Sequence, residues 1–313
     1  VPDVDDRHVL VIGSAGVDVK GRPSQDLKWE TSNLGRVRST IGGTARNIAE
    51  NLARLEVNTI LLTAVGKDSA GKQVIKRCER AGINCQHIQT VPGARTGTYM
   101  ALLTPEGELI TAVSDFSVIE SVDPNYLIGH ERLFAEAAMI VIDANLTPPA
   151  LETVFELATR YNVGVCVDPT SPALAVNLCP YIDRMYMVSP NAAETTALCG
   201  LSDPAHDYDT AIHAARHLVM LGAKVAVVTL GDKGLAYADG SGGGHLPAIG
   251  THVVDSTGAG DALSGAIIFG LLNEVPLDEA MRLGVTAASL TLQSPYTVLP
   301  TLSQELLYDQ LAI

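Results

Sequence analysis

Short apolar runs, many rich in β-branched residues, recur along the chain at 8–12, 59–65, 139–143, 163–168, 185–189 and 224–229, and they tend to end in turn or acidic residues. Helical patterns separate most of them, at 44–55, 71–81, 150–160 and 208–221. A strand covered on both faces reads as an unbroken apolar run, and a parallel neighbour needs a crossover, usually a helix. The alternation therefore predicts an α/β class with a mostly parallel sheet covered on both faces. From residue 258 onward the pattern is chiefly helical, at 259–272, 277–292 and 303–311.

Two segments break this rhythm. Residues 17–40 are polar and turn-rich with weak alternation, and 95–116 hold two strand-like runs, 98–103 and 109–113, around Pro105-Glu106-Gly107. Together they are expected to form a small separate sheet, a β-lid, over the edge of the main domain built from 1–16, 41–94 and 117–313. The glycine-rich stretch 240–244 reads as a flexible loop between strands. No internal repeat is visible.

The 313 residues are 47% hydrophobic and 18% charged, enough to bury a sizeable core and too apolar for disorder. A formal net charge of −14 with no basic run argues against nucleic acid as a partner. A polyphosphate stays compatible with an acidic chain, because a nest of backbone amides can hold it. Cys78, Cys85, Cys166, Cys179 and Cys199 lie far apart without a C-x-x-C, which suits a reduced cytoplasmic interior rather than disulfides or zinc. No apolar run approaches the ~18 residues of a membrane span, and no secretory pattern opens the sequence, so a soluble protein without a membrane partner is expected.

The stretch DSTGAGDALSGA at 255–266 places Gly258, Ala259, Gly260 and then Asp261 at the mouth of an apolar helix. Asp261 would suit a helix cap, but a cap does not explain the glycines. An anion site with bare backbone N–H groups and a base beside it explains both. Earlier, Gly42 and Gly43 precede TARNIAENLARL, with Ile48, Leu52 and Leu55 on one face and Asn47 one turn in. That pattern reads equally as core packing or as backbone approaching a ligand. Asp18 follows the first strand, where open α/β sheets bind ligands, although a turn residue is the simpler reading. Asn191 and Glu194 at i, i+3 form either a capping box or two oxygens that organise the water shell of Mg²⁺. TLGDKG at 229–234 is a hairpin turn or the floor beneath nucleotide phosphates. GKDSAGK at 66–72 approaches a P-loop but has Gln73 where the metal-binding hydroxyl should stand, so a structural turn is expected.

In this order the motifs resemble the ribokinase-like (PfkB) family of carbohydrate and nucleoside kinases along nearly the whole chain. DSTGAGD and IGGTARNIAENLARL resemble its two signatures, with AVGKD, VDP, SPNAAE and TLGDKG between them in family order. The resemblance implies a three-layer α/β/α domain with a β-lid, and cofactors ATP and Mg²⁺, with K⁺ as the monovalent cation that family members often use. It implies Asp261 as catalytic base and the amides of Gly258, Ala259 and Gly260 as the anion hole for the transferring phosphoryl group. Asp18, Gly42, Gly43, Arg46 and Asn47 would face the acceptor. Asn191, Thr229, Gly231 and Gly234 would line the ATP site together with Gly258 and Gly260. Glu194 and Asn191 would order Mg²⁺ through water, and carbonyls around Asp255 and Thr257 would suit K⁺. A homodimer through the lid also occurs in the family.

For the acceptor, GSAGVDVKG, GRVRSTIGGTARNIAENLARL, GTYMALLTPEGELITAVSDF and VIDANLT are similar to members that phosphorylate pseudouridine. That likeness implies transfer to the 5′-hydroxyl of this nucleoside, with Thr98, Asp115 and Asn145 near base or ribose. Gly16 stands where the family often has Asn, which relaxes sugar recognition. Ribose or another sugar or nucleoside is the alternative acceptor. An inactive nucleoside- or sugar-binding protein is the alternative of another class, and Asp261 with its full glycine nest argues against it. A dinucleotide-dependent oxidoreductase is disfavoured because GSAGVD lacks the last glycine of G-x-G-x-x-G.

Overall fold

The computed structural model describes residues 7–200 and 204–311. The outermost residues of the expected 1–16 and 117–313 segments, and 201–203, lie outside the described residues. In chain order the elements are β1 (His8–Ile12), β2 (Gly16–Pro23), β3 (Gly35–Gly42), α1 (Thr44–Arg54), β4 (Thr59–Leu62), β5 (Ala64–Gly66), α2 (Ser69–Arg80), β6 (Gln89–Val91), β7 (Gly97–Leu103) and β8 (Leu109–Asp115). They continue as α3 (Pro124–Gly129), α4 (Glu131–Ala135), β9 (Ala137–Asp143), α5 (Pro148–Tyr161), β10 (Val165–Asp168), α6 (Pro172–Ala175), β11 (Met187–Val188), α7 (Ala192–Cys199) and α8 (Tyr208–Met220). The last are β12 (Val225–Thr229), β13 (Leu235–Asp239), β14 (Gly243–Leu246), α9 (Ala259–Leu272), α10 (Leu277–Leu292) and α11 (Gln304–Asp309).

Eight strands form the central sheet in the order β14-β13-β12-β11-β10-β9-β1-β4. The strands from β12 to β4 pair in parallel, and β13 and β14 extend one edge antiparallel. Side chains alternate across a strand, so each apolar run feeds two cores. Leu10, Ile12, Ile140 and Ile142 pack with α5 and α8 residues such as Phe155 and Leu218. Val9, Val11, Met139 and Val141 pack on the other face with Ile48 and Leu52 of α1, Ile267 of α9 and Met281 of α10. The result is three layers, helix–sheet–helix.

Local chemistry sets the boundaries. Asp68 caps α2 by accepting from Gly71 N at 2.8 Å, so the P-loop-like 66–72 stretch is a helix start. Thr147 caps α5 with Pro148 in its first turn, and Asn162 ends it in the left-handed region. The expected 59–65 strand divides at Thr63, where β4 stays beside β1 while β5 turns away to pair with β6. The expected flexible loop at 240–244 is instead a tight hairpin, because Asp239 Oδ1 accepts from Ser241 N and Gly242 N. Its last two glycines belong to β14.

The irregular segments form a second sheet in the order β3-β2-β7-β8. Its inner face follows from register. Asp18 of β2 pairs with Thr40 of β3 and Tyr99 of β7, and Tyr99 pairs with Ser114 of β8. Among the described residues, no helix is long and apolar enough to cross a membrane.

Candidate active site

The site lies at the carboxyl ends of the parallel strands, beside the small sheet, as open α/β sheets favour. Asp143, at the end of β9, is fully buried and acts as a hub. Its carboxylate accepts from Ser14 N at 2.8 Å, Ala45 N at 3.0 Å and both Asn145 N and Nδ2 at 3.0 and 3.1 Å. One buried carboxylate thereby joins the end of β1, the start of α1 and the loop after β9. Asp143 and Ser14 were not anticipated from sequence, although an acid ending a buried strand was the available sign.

A cleft of about 660 Å³ opens between the small sheet and the body, lined by Asp18, Gly43, Asn47, Tyr99, Ser114, Phe116, Asn145, Thr170, Thr257 and Asp261 among others. Burial pushes the Asp18 carboxyl above its ordinary value, and the positive charges of Arg46 and Lys20 oppose this. Gly42 does not line this cleft; a side chain there would strike the Asp18 carboxylate, so its bareness makes room for Asp18.

Three further expected acceptor residues lie elsewhere. Thr98 pairs with Asp115 one step out of phase with the Tyr99–Ser114 pair, so both face the opposite side of the small sheet. Asp115 instead accepts from Ser117 N at 3.1 Å in a local turn. The inner positions are Tyr99 and Ser114, which a strand-parity argument on 98–115 would have found. Arg46 is buried at 1% exposure. Its guanidinium donates to Glu50 Oε2 at 2.7 Å, to the carbonyls of Ile41 and Gly42 at 2.7 and 3.0 Å, and to Thr297 Oγ1 at 3.2 Å. It is an internal brace. Glu50 also pairs with Arg54 and Arg77, and these three cations hold its carboxyl below its ordinary value against the effect of burial.

Asp261 sits in the first turn of α9 and borders both this cleft and a narrower one. Burial pushes its carboxyl up to about 7, opposed by the Asn47 hydrogen bond and the charge of Arg46. Asn47 Nδ2 donates to Asp261 Oδ2 at 2.6 Å, while Asn47 Oδ1 is buried without a hydrogen-bond partner. Gly258 caps α9 with φ 85°, and any side chain on it would collide with the Thr297 carbonyl. This turn exposes first-turn amides beside Asp261, a charge-stabilising site where a helix begins.

Beyond Gly260 a second cleft of about 450 Å³ is lined by Thr229, Gly231, Gly234, Val253, Ala259, Leu263, Val285, Ala288 and Leu292. Its largely aliphatic walls fit a flat heterocycle, and a Cβ on Gly260 would meet nothing within 4 Å. Between the two clefts lies a narrow one bordered by Asp168, Asn191, Glu194, Thr229 and Asp261. Asn191 and Glu194 form the reciprocal capping box of α7, with both bonds at 2.9 Å. Burial raises the Glu194 carboxyl, and burial with Asp261 and Glu194 nearby pushes Asp168 well up. Three carboxyls disfavouring their own charge around one gap fit a divalent cation carried in on phosphates. Among the described residues, no group of three or more His, Cys, Asp or Glu is arranged to hold a metal ion directly. At the corner whose backbone carbonyls were expected to suit K⁺, the Asp255 carboxylate pairs with Lys20 at 2.7 Å.

An acid held by an amide beside helix-start N–H groups, between one polar and one apolar cleft, is an arrangement that suits phosphoryl transfer to a hydroxyl. Residues 6–304 match the model of the pfkB family of carbohydrate kinases, and the chain belongs to that family. It is 32% identical to the pseudouridine kinase of Escherichia coli K12 over 297 residues, covering 95% of this chain and 94% of that protein. It is 29% identical to the guanosine-inosine kinase of Exiguobacterium acetylicum, covering 91% and 94%. Its fold matches Arabidopsis thaliana ribokinase complexed with ribose and ATP with a TM-score of 0.84 at 21% identity, covering 98% and 99% of the two chains. The protein is thus a kinase of sugar or nucleoside hydroxyls with a ribokinase-like fold.

Proposed function

We propose that this kinase transfers the γ-phosphoryl group of ATP to the 5′-hydroxyl of pseudouridine. The observation that carries the reading is the position of Asp261, which borders the acceptor cleft and stands beside the amides at the head of α9. Asp18, Gly43 and the unpaired Oδ1 of Asn47 hold ribose hydroxyls. Asn145, Ser114 and Tyr99 face the base. Asp261 takes the proton of the 5′-hydroxyl as its oxygen attacks phosphorus. The amides of Gly258, Ala259 and Gly260 stabilise the charge on the equatorial oxygens, and ADP leaves. Thr229, Gly231 and Gly234 line the nucleotide cleft. Asn191 and Glu194 would hold Mg²⁺ through water; the ion, when bound, shields the phosphate oxygens. The carbonyls of Asp255 and Thr257 are the positions proposed for K⁺. The small sheet acts as a lid that excludes water. A cytoplasmic site of action suits a nucleoside kinase that draws on ATP.

A cleft of about 660 Å³ exceeds the needs of a pentose and leaves room for a base, which favours a nucleoside over ribose. The 32% identity to a pseudouridine kinase supports the particular nucleoside. ADP release with Mg²⁺-ATP across pseudouridine, uridine, adenosine and ribose tests this. The highest kcat/KM is expected with pseudouridine. A preference for ribose or another nucleoside would overturn the acceptor and leave the kinase.

The pH dependence follows from Asp261. Its raised carboxyl stays protonated, and idle as a base, below about 7. Log kcat/KM for the acceptor should therefore climb with pH up to about 7 and level off above it. A flat profile through that range would remove Asp261 from the proton-transfer role.

The outer face of the small sheet carries Val37, Met100 and Val113, which are 77%, 55% and 62% exposed. A homodimer through this face is proposed. Sedimentation equilibrium is expected to give a dimer for the wild type and a monomer for Met100→Glu; a monomeric wild type would end the proposal.

A further inference from the structure

β2 turns two charged side chains toward the body of the protein, Asp18 and, two residues on, Lys20. Asp18 lines the acceptor cleft. Lys20 crosses to the loop before α9, where Nζ donates to Asp255 Oδ1 and Oδ2 at 2.7 and 2.8 Å and also to Thr257 Oγ1. Asp255 Oδ1 in turn accepts from Thr257 N at 2.9 Å. The Lys20 and Asp255 side chains are only 10% and 23% exposed, so solvent screens the pair weakly. Separating them would leave a half-buried carboxylate without its partner, which favours this one geometry over a loosened loop.

The loop has other fixed points that leave little slack around this contact. Val254 N donates to Leu292 O at 2.8 Å, and Gly258 lies against the Thr297 carbonyl. Thr297 Oγ1 donates to Ile41 O at 2.8 Å, at the end of β3. The segment carrying the phosphate-facing amides is therefore held from α10, from β3 and from β2. Of these holds, the one from β2 shares its strand with the acceptor carboxylate.

We propose that Lys20 is a positioning residue for phosphoryl transfer: by gripping Asp255 and Thr257 from the strand that carries Asp18, it sets the acceptor in register with the amides of residues 258–260. This rests on the roles given above to Asp18 and to those amides. Lys20 touches neither reactant. It fixes the distance between the elements that hold them, and a misplacement of about 1 Å between reacting groups can cost roughly 10²-fold in rate.

Lys20→Met, Asp255→Asn and the double variant test it, with phosphorylated acceptor and ADP measured separately. Lys20→Met is expected to lower kcat for acceptor phosphorylation by about 10- to 100-fold. ADP formed per phosphorylated acceptor should rise above that of wild type, because water replaces the misplaced hydroxyl as acceptor of the phosphoryl group. Asp255→Asn breaks the same contact from the other side, so the double variant should be no worse than Lys20→Met. Wild-type turnover and coupling in Lys20→Met, or losses that multiply in the double variant, would overturn the proposal. Hydrogen exchange without substrates gives a readout independent of the acceptor. Amides of 255–260 should exchange faster in Lys20→Met while the core strands stay unchanged, and unchanged exchange at 255–260 would also overturn it. If the wild type phosphorylates no member of the acceptor panel, the functional reading fails, and the exchange experiment still decides whether Lys20 holds the loop.

Discussion

Asp261→Asn is expected to lower kcat by about 10²–10⁴-fold while leaving the affinities for ATP and acceptor close to wild type. The substitution preserves shape, and its amide oxygen can still accept from Asn47 Nδ2, which now sits 2.6 Å from the carboxylate. What it removes is the capacity to take a proton. Single-turnover kinetics with binding measured separately would check it, and near-normal turnover would exclude Asp261 as the base. Stability should move the other way. A carboxyl whose folded value of about 7 lies above its ordinary 3.8 is least costly when protonated. That advantage is full below the ordinary value and is lost as pH rises through 7. Thermal unfolding at pH 8 should therefore show Asp261→Asn more stable than wild type, with the gap narrowing toward pH 5.

The second large effect concerns the turn that holds the amides. Gly258→Val should reduce turnover by about 10²–10³-fold, the scale of losing a preorganised donor to developing charge. Gly258 has φ 85°, a region costly for a β-branched residue, and its Cβ would drive into the Thr297 carbonyl. Backbone is a poor yielding partner, so the loop must retreat and carry its amides away. Gly260→Ala provides the contrast. Its Cβ meets no atom within 4 Å, yet the residue borders the nucleotide cleft. It should fold normally and act mainly on KM for ATP. Steady-state kinetics of both variants separate the two, and equal effects would show that the φ of Gly258 is irrelevant.

Much of this is legible in the sequence. Apolar runs such as 8–12 and helices such as 259–272 coincide with β1 and α9, because burial on both faces and a helix-start glycine leave strong local marks. Features set by long-range pairing were harder to read. Thr98 and Asp115 sit in the right segments for the acceptor, but strand parity turns them outward and brings Tyr99 and Ser114 in. Arg46 follows a glycine pair and looks like a ligand contact, yet it is consumed by Glu50 and the carbonyls of Ile41 and Gly42 close by in sequence, and by Thr297, 251 residues away. Asn191 and Glu194 were ambiguous because one pair of side chains can cap a helix and still border a cleft. Lys20 carried no local mark, since its partners are 235 and 237 residues away.

The helix that carries Asp261 lies deep in the molecule. Residues 262–270 of α9 are buried, and glycines let it press close to its neighbours: a Cβ on Gly265 would lie 2.9 Å from that of Asn51, and one on Gly284 would lie 2.7 Å from Ile267. The proposed phosphate-handling turn is therefore anchored to a helix set in the core, where small changes are felt at once. The proposed acceptor contacts hang partly on strands whose far side faces water, where substitutions are tolerated. Under the proposed assignment, such a division would let substitutions in the outlying strands change the preferred hydroxyl-bearing substrate while leaving the packing around α9 untouched.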